Sequence, residues 1–305
     1  HGPTRLREAL IHSRNLVSIR LLHSIGISYA LDHIEKFGFD IEKLPKNLSL
    51  ALGSAELSLW ELVRGYAVFA NGGFLIEPYF INETKTYDNQ VIFRANPSVV
   101  CKRCIGIQKE QSLSEENKSA KEINDTEEAY ENDNTNTIYS PRVVDAKNIW
   151  IMNTITRDVI KYGTGRRALE LQRGDLSGKT GTTNDQHDAW FSGFNSNIVT
   201  VSWVGFDKFK PLGTRETGGR AALPMWIDYM REALRGMPQS MGQRPKGLVT
   251  VRIDSRNGEL ANTENPDAMF EIFRLKNAPK SLNKKKHHDL LLRDNEDMST
   301  PEQLF

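Results

Sequence analysis

The stretch Leu176-Ser177-Gly178-Lys179-Thr180-Gly181-Thr182-Thr183-Asn184, followed by Asp188-Ala189-Trp190-Phe191-Ser192-Gly193-Phe194, decides how the chain is read. It reads as a strand carrying a cation, with hydroxyls on alternate sides and a glycine between them. In a strand, residues two apart share a face. Thr180 and Thr182 therefore share one face, and Lys179, Gly181 and Thr183 the other. Gly181 has no side chain to hold off another backbone, so an extended peptide can lie close to it. A cationic, hydroxyl-bearing edge strand suits the carboxylate end of a peptide. K-T-G alone is a weak signal, since a solvated hairpin strand can carry the same letters. It needs partners elsewhere in the chain.

The bulk numbers narrow the choice. The 305 residues carry a formal net charge of +1, with 38% hydrophobic and 26% charged. That composition is globular, with length enough for a core. Near-zero net charge argues against nucleic acid as the main partner. No apolar run reaches the length that crosses a membrane. The chain starts His1-Gly2-Pro3-Thr4, without initiator Met or signal peptide, and already reads as the entry to a helix. A longer protein, with its N-terminal part and targeting elements outside this chain, is expected. Cys101 and Cys104 form C-x-x-C. Zinc would need two further ligands close by and none is evident, which leaves a local disulfide or two free thiols. No metal and no cofactor are expected.

Helices are expected from Thr4 through Leu6, Leu10 and Ile11, then through Leu16, Val17, Leu21 and Ile25 to Gly26, then from Ser28 to Gly38. Ser58 and Glu61 spell a capping box for a helix through Leu62, Val63, Tyr66 and Phe69, ended by Asn71-Gly72-Gly73. Phe74 to Ile81 and Gln90 to Phe93 read as a hairpin turning at Tyr87-Asp88-Asn89. Between Lys109 and Asn134 nine acidic residues face three lysines, too little apolar area to offset chain ordering. A mobile acidic insertion, about residues 105–139, is the reading. Ser140-Pro141 opens a helix to about Lys161, with Val144, Ile149, Met152 and Val159 as core. Three strands follow, Ser177 to Thr182, Ala189 to Phe194 and Ile198 to Phe206. Short connections make them antiparallel, and the third is apolar enough to be central. Pro224 starts a helix with Trp226, Ile227, Met230 and Leu234, and Leu248 to Asp254 reads as one more strand. The expected division is a domain over 1–240, an extension over 241–275 and a flexible charged tail over 276–305. The class is α+β.

Two motifs now stand together. Ser13-Arg14-Asn15 lies between two helices, and Lys179-Thr180-Gly181 lies on a strand. S-x-N and K-T-G, with S-x-x-K, form the signature of penicillin-binding proteins and class A β-lactamases. Flanking stretches extend the likeness: Gly2-Pro3-Thr4, Leu50-Ala51-Leu52-Gly53-Ser54-Ala55, Arg64-Gly65-Tyr66-Ala67, Gly163-Thr164-Gly165-Arg166-Arg167-Ala168 and Gly247-Leu248-Val249-Thr250-Val251. Over roughly residues 1–275 the chain resembles the transpeptidase domain of bifunctional class A penicillin-binding proteins, the 1a type of Gram-negative bacteria. The resemblance implies the penicillin-recognising serine transferase/β-lactamase-like fold, an antiparallel sheet with a helical subdomain and a cleft between them, here without its N-terminal part.

It also implies D,D-transpeptidation. A serine of S-x-x-K attacks the D-Ala-D-Ala amide of a peptidoglycan stem peptide, D-alanine leaves, and the acyl group passes to a neighbouring amine. β-Lactams acylate the same serine. By motif, Ser13 would relay protons, Asn15 would bond the substrate amide, and Lys179 would hold the network and attract the substrate carboxylate. Thr180 and Thr182 would bind that carboxylate on a strand whose Gly181 and Thr183 line the substrate. The Thr182 N–H would supply half of an oxyanion hole. Implied partners are stem peptides, β-lactams and the N-terminal part of the same protein, with a homodimer left open. The implied location is the periplasmic side of the inner membrane, beside a glycosyltransferase domain.

One departure matters. No S-x-x-K precedes Ser13; the one match, Ser281-Leu282-Asn283-Lys284, sits in the charged tail. The nucleophile is therefore expected outside this chain, and the chain alone is expected to be inactive. Two alternatives stay open: a non-catalytic stem-peptide-binding module, and a hydrolase of D,D-carboxypeptidase or β-lactamase type. Other residues read more simply. Ser255-Arg256-Asn257 precedes Gly258 as a turn. His187 is a surface-loop histidine, His12 a helix residue, Asp185 and Asp188 turn residues, and Trp190 and Phe191 core.

Overall fold

Helix α1 (Leu6–Ile11) begins after Arg5, so Thr4 is not its cap. The computed structural model describes residue 2, residues 4–101 and residues 137–280. The acidic stretch between Lys109 and Asn134, Cys104 and the Ser281–Lys284 match lie outside them. Cys101 is disulfide-bonded. The chain divides into two compact units, Thr4–Gln243 and a second containing Arg244 onward.

In the first unit α2 (Asn15–Ile25) and α3 (Ile27–Glu35) follow, broken by Gly26 at φ 88°. The apolar positions of α2 are not its buried ones: Leu16, Leu21 and Ile25 are exposed, and Leu22 is the buried residue. Periodicity marks an apolar face but not what covers it. Helix α4 (Leu59–Ala70) carries the full capping box, with Ser58 accepting from the Glu61 N–H and Glu61 accepting from the Ser58 N–H. The hairpin strands are β1 (Glu83–Lys85) and β2 (Val91–Arg94). Phe74 to Ile81 is not the first of them, because Pro78 offers no N–H to a ladder. Helix α5 (Ala146–Tyr162) starts later than expected. Residues 140–144 stay outside the helix, with the Val143 and Val144 N–H groups donating to the Gly73 carbonyl. Asp145, accepting from the Lys147 and Asn148 N–H groups, is the cap instead of Ser140.

Strands β3 (Ser177–Thr182), β4 (Ala189–Phe194) and β5 (Val199–Val204) form an antiparallel meander in that order. β4 is central, and the expectation that the third strand is central is corrected. Short connections put each strand beside its predecessor, leaving β5 at one described edge and β3 at the other. The pairing Lys179↔Ser192 and Thr180↔Phe191 fixes two faces. On the Lys179 face, Ser177 donates to the Asn153 carbonyl of α5, and Tyr66 and Phe69 of α4 meet Phe194. Burial pushes the Tyr66 hydroxyl pKa up, and a hydrogen bond with Ser192 pulls it back. On the Thr180 face, α6 (Leu223–Ala233) buries Trp226 against Phe191, with ring centroids 4.9 Å apart. A Cβ on Gly193 would lie 2.6 Å from the Trp226 ring, so only glycine admits the indole here. The core joins Ile160, Leu176, Phe191, Trp226, Ile227 and Met230.

In the second unit β6 (Leu248–Asp254) pairs along its length with β7 (Ala268–Arg274). The sequence reading found β6 and missed β7. Ser255-Arg256-Asn257 is a turn, held by the Arg256 N–H donating to Asp254 and by Gly258 at φ 76°.

Candidate active site

Lys179 and Ser13 meet. Lys179 Nζ donates to Ser13 Oγ across 166 residues of chain, and to the Thr180 carbonyl at 3.0 Å. Burial holds the ammonium pKa down, from 10.5 to about 8, because a charge leaving water loses hydration. Ser13 sits between α1 and α2 in the left-handed region, at φ 50°. A serine held there costs on the order of 1 kcal/mol, a strain that concentrates at functional sites.

Two contacts from the end of α5 hold the Ser13 loop. The Thr164 N–H donates to the Ile11 carbonyl at 3.4 Å, and Arg7 of α1 pairs with Asp158 of α5 at 2.8 Å. Burial pushes the Asp158 carboxyl up despite Arg7, whose charge and hydrogen bond lower it. Gly163 lies so close to α1 that a Cβ there would stand 2.3 Å from the Ile11 carbonyl oxygen. That neighbour is backbone, two residues from Ser13, and cannot rotate away. Gly163→Ala is expected to cost about 1–3 kcal/mol in thermal unfolding and to shift Ser13 from Lys179.

Thr180 and Thr182 point to the opposite face from Lys179. The Thr180 hydroxyl pairs with the Thr164 hydroxyl at 2.7 Å. The Thr182 hydroxyl accepts from the Gly218 N–H at 3.0 Å and keeps its own proton to donate. Gly218 is glycine of necessity, since a Cβ would fall 2.4 Å from the Gly181 carbonyl and 2.3 Å from that of Trp190. The Thr183 N–H donates back to Asp188, so that of Thr182 points to the outer edge of β3, away from β4. Thr183 is bound into the turn after the strand, its hydroxyl accepting from the Asp188 N–H at 2.7 Å. A Cβ on Gly181 would meet Trp190 at 3.0 Å.

Asn15 opens α2 and is exposed. Among the described residues it forms no side-chain hydrogen bond to Ser13 or Lys179. The remaining residues behave as turns and core: His187 stacks on Phe209, Asp188 accepts from Trp203, and His12 pairs with Glu8. Sequence reading missed Thr164 and Gly218. The Gly163-Thr164-Gly165 and Gly218-Gly219 runs were the available signals.

Comparison with known proteins follows the same line. The penicillin binding protein transpeptidase domain matches residues 1–210. Penicillin-binding protein 1A of Pseudomonas aeruginosa is 44% identical over 296 residues, 92% of this chain and 35% of that protein. The Neisseria lactamica protein of that name is 40% identical over 248 residues, 81% of this chain and 27% of its own length. The crystal structure of penicillin-binding protein 1A from Haemophilus influenzae superposes with a TM-score of 0.79 at 33% identity, covering 92% of this chain and 41% of that one. The chain thus spans about a third of the length of its curated relatives. On these matches the chain belongs to the penicillin-binding protein transpeptidase domain family.

Proposed function

We propose that the protein containing this chain is a D,D-transpeptidase that cross-links peptidoglycan stem peptides and is a target of β-lactams. The observation that carries the reading is the Lys179–Ser13 contact, which joins the two motifs the chain holds. The nucleophilic serine comes from an S-x-x-K outside these residues. Its oxygen adds to the D-Ala-D-Ala carbonyl, the C–N bond breaks, and D-alanine leaves with the proton that Ser13 relays. A stem-peptide amine then adds to the acyl ester, the C–O bond breaks, and the serine regains a proton. Lys179 holds the Ser13 oxygen and supplies positive potential for the substrate carboxylate. Asn15 bonds the substrate amide as it enters. The Thr182 N–H, pointing to the open edge of β3, stabilises the oxyanion; one such donor is worth about 2.7–4 kcal/mol. The Thr180 and Thr182 hydroxyls bind the carboxylate, with the substrate extended along Gly181 and Thr183.

The whole protein works on the periplasmic side of the inner membrane and carries a peptidoglycan glycosyltransferase domain. No described helix of this chain is long and apolar enough to cross a membrane.

Full-length protein is tested with labelled penicillin, and with a D-Ala-D-Ala stem peptide plus an amine acceptor. The expected result is covalent labelling, lost in Lys179→Ala, and transfer product with release of D-alanine. Normal labelling of Lys179→Ala would sink the reading. Hydrolysed peptide alone, at saturating acceptor, would point instead to a carboxypeptidase.

A further inference from the structure

The Gly163-Thr164-Gly165 turn has no part in the chemistry above, yet its threonine touches both motif-bearing segments. The Thr164 backbone N–H donates to Ile11, two residues before Ser13, and its hydroxyl stands 2.7 Å from that of Thr180. Neighbouring backbone packs closely against the turn on two sides. Gly163 has Ile11 against it, and a Cβ on Gly219 would lie 3.0 Å from the Thr164 carbonyl. The Thr164 side chain is exposed, so its hydroxyl is not needed to satisfy a buried partner.

Two hydroxyls in contact share one hydrogen. When Thr164 donates, Thr180 accepts and its own O–H is left to point at an anion. Polarisation along such a pair makes the terminal donor stronger. We infer that Thr164 is a positioning residue that sets the Thr180 hydroxyl as a donor to the substrate carboxylate. The inference rests on the proposed transpeptidase reading and deepens it: it concerns recognition of the carboxylate, not the acyl-transfer steps.

The test uses full-length protein and two probes, a penicillin with a free carboxylate and the same penicillin as its methyl ester. Thr164→Val keeps the shape and removes the hydroxyl; Thr164→Ser keeps the hydroxyl. For the free acid, Thr164→Val is expected to slow acylation about tenfold, the scale of one lost hydrogen bond. Acylation by the ester should hardly change, and Thr164→Ser should restore the acid rate. Unchanged acid acylation in Thr164→Val overturns the inference. So does equal slowing with both probes, which would mean the loop as a whole had moved. Loss in Lys179→Ala beside a normal Thr164→Val rejects this inference alone; normal labelling of both rejects the transpeptidase reading.

Discussion

Full-length protein carrying Lys179→Met is expected to lose penicillin acylation by about 100-fold or more, and yet to melt within a few degrees of the unaltered protein. Burial lowers the Lys179 pKa from 10.5 to about 8. At about 1.4 kcal/mol per pKa unit, keeping this ammonium charged in the fold at neutral pH costs about 3 kcal/mol. The unfolded chain binds the proton more tightly than the fold does. The penalty is therefore full below about pH 8, and stability rises with pH between there and 10.5. Met fills the same volume without the charge. It forfeits the hydrogen bonds from the ammonium to Ser13 and to the Thr180 carbonyl, each worth about 1.5–3 kcal/mol because the donor is charged. Gain and loss offset one another to within a few kcal/mol, so the melting temperature should move by no more than a few degrees. Acylation by the unaltered protein should correspondingly decline as pH rises past about 8, when Lys179 loses its charge. Calorimetry and labelling across pH 6–10 check both statements. A melting temperature lower by more than a few degrees, with retained acylation, would show that Lys179 is a structural cation.

Asp175→Ala is expected to destabilise the domain by about 3–5 kcal/mol, the scale for removing one partner of a buried ion pair. The Asp175 side chain is fully enclosed and pairs with Arg173 at 2.8 Å. It accepts from Arg173 Nε, from Asn195 Nδ2 and from the Ser240 N–H. Alanine leaves the half-buried guanidinium uncompensated and frees residues 237–240, which Arg173 holds through the Met237 and Pro238 carbonyls. Burial pushes the carboxyl pKa up, and hydrogen bonds from Arg173, Ser240 and Asn195 more than reverse this, leaving it below 3.8. A carboxylate with a depressed pKa contributes its stability above the unfolded value and loses it as pH falls through the folded one. The wild-type protein should lose that contribution below about pH 4, and Asp175→Ala should show a flatter acid limb. Denaturant unfolding at pH 7 and pH 3 reads it. A change below 1 kcal/mol at pH 7 would mean the network is dispensable.

Much of the fold was legible because it is written locally. β3 and β4 fell on Ser177–Thr182 and Ala189–Phe194 as read, since a period of two and bounding glycines are visible in any short window. The Ser58–Glu61 box marked α4 for the same reason. Errors came where a distant group overruled a local signal. Ser140-Pro141 looks like a helix start, but Gly73 captures the following N–H groups and Asp145 is the better acceptor. The apolar strand β5 looks central, but its place follows from the order of connections. β7 was missed because Ala268–Arg274 mixes charged and apolar residues, and its pairing with β6 supplies the order.

The sequence by itself determined which residue types stand on which strand, the order of the two motifs, and the family they belong to. That information is local, carried by the strand period, the caps and the motif letters. Only the tertiary structure decided that Ser13 meets Lys179, and that Thr180 faces Thr164 on the far side of the sheet. Both depend on how α1 docks on the end of α5 through Gly163 and the Arg7–Asp158 pair. Such contacts join residues far apart in the chain, and no periodicity within one segment encodes its distance from another.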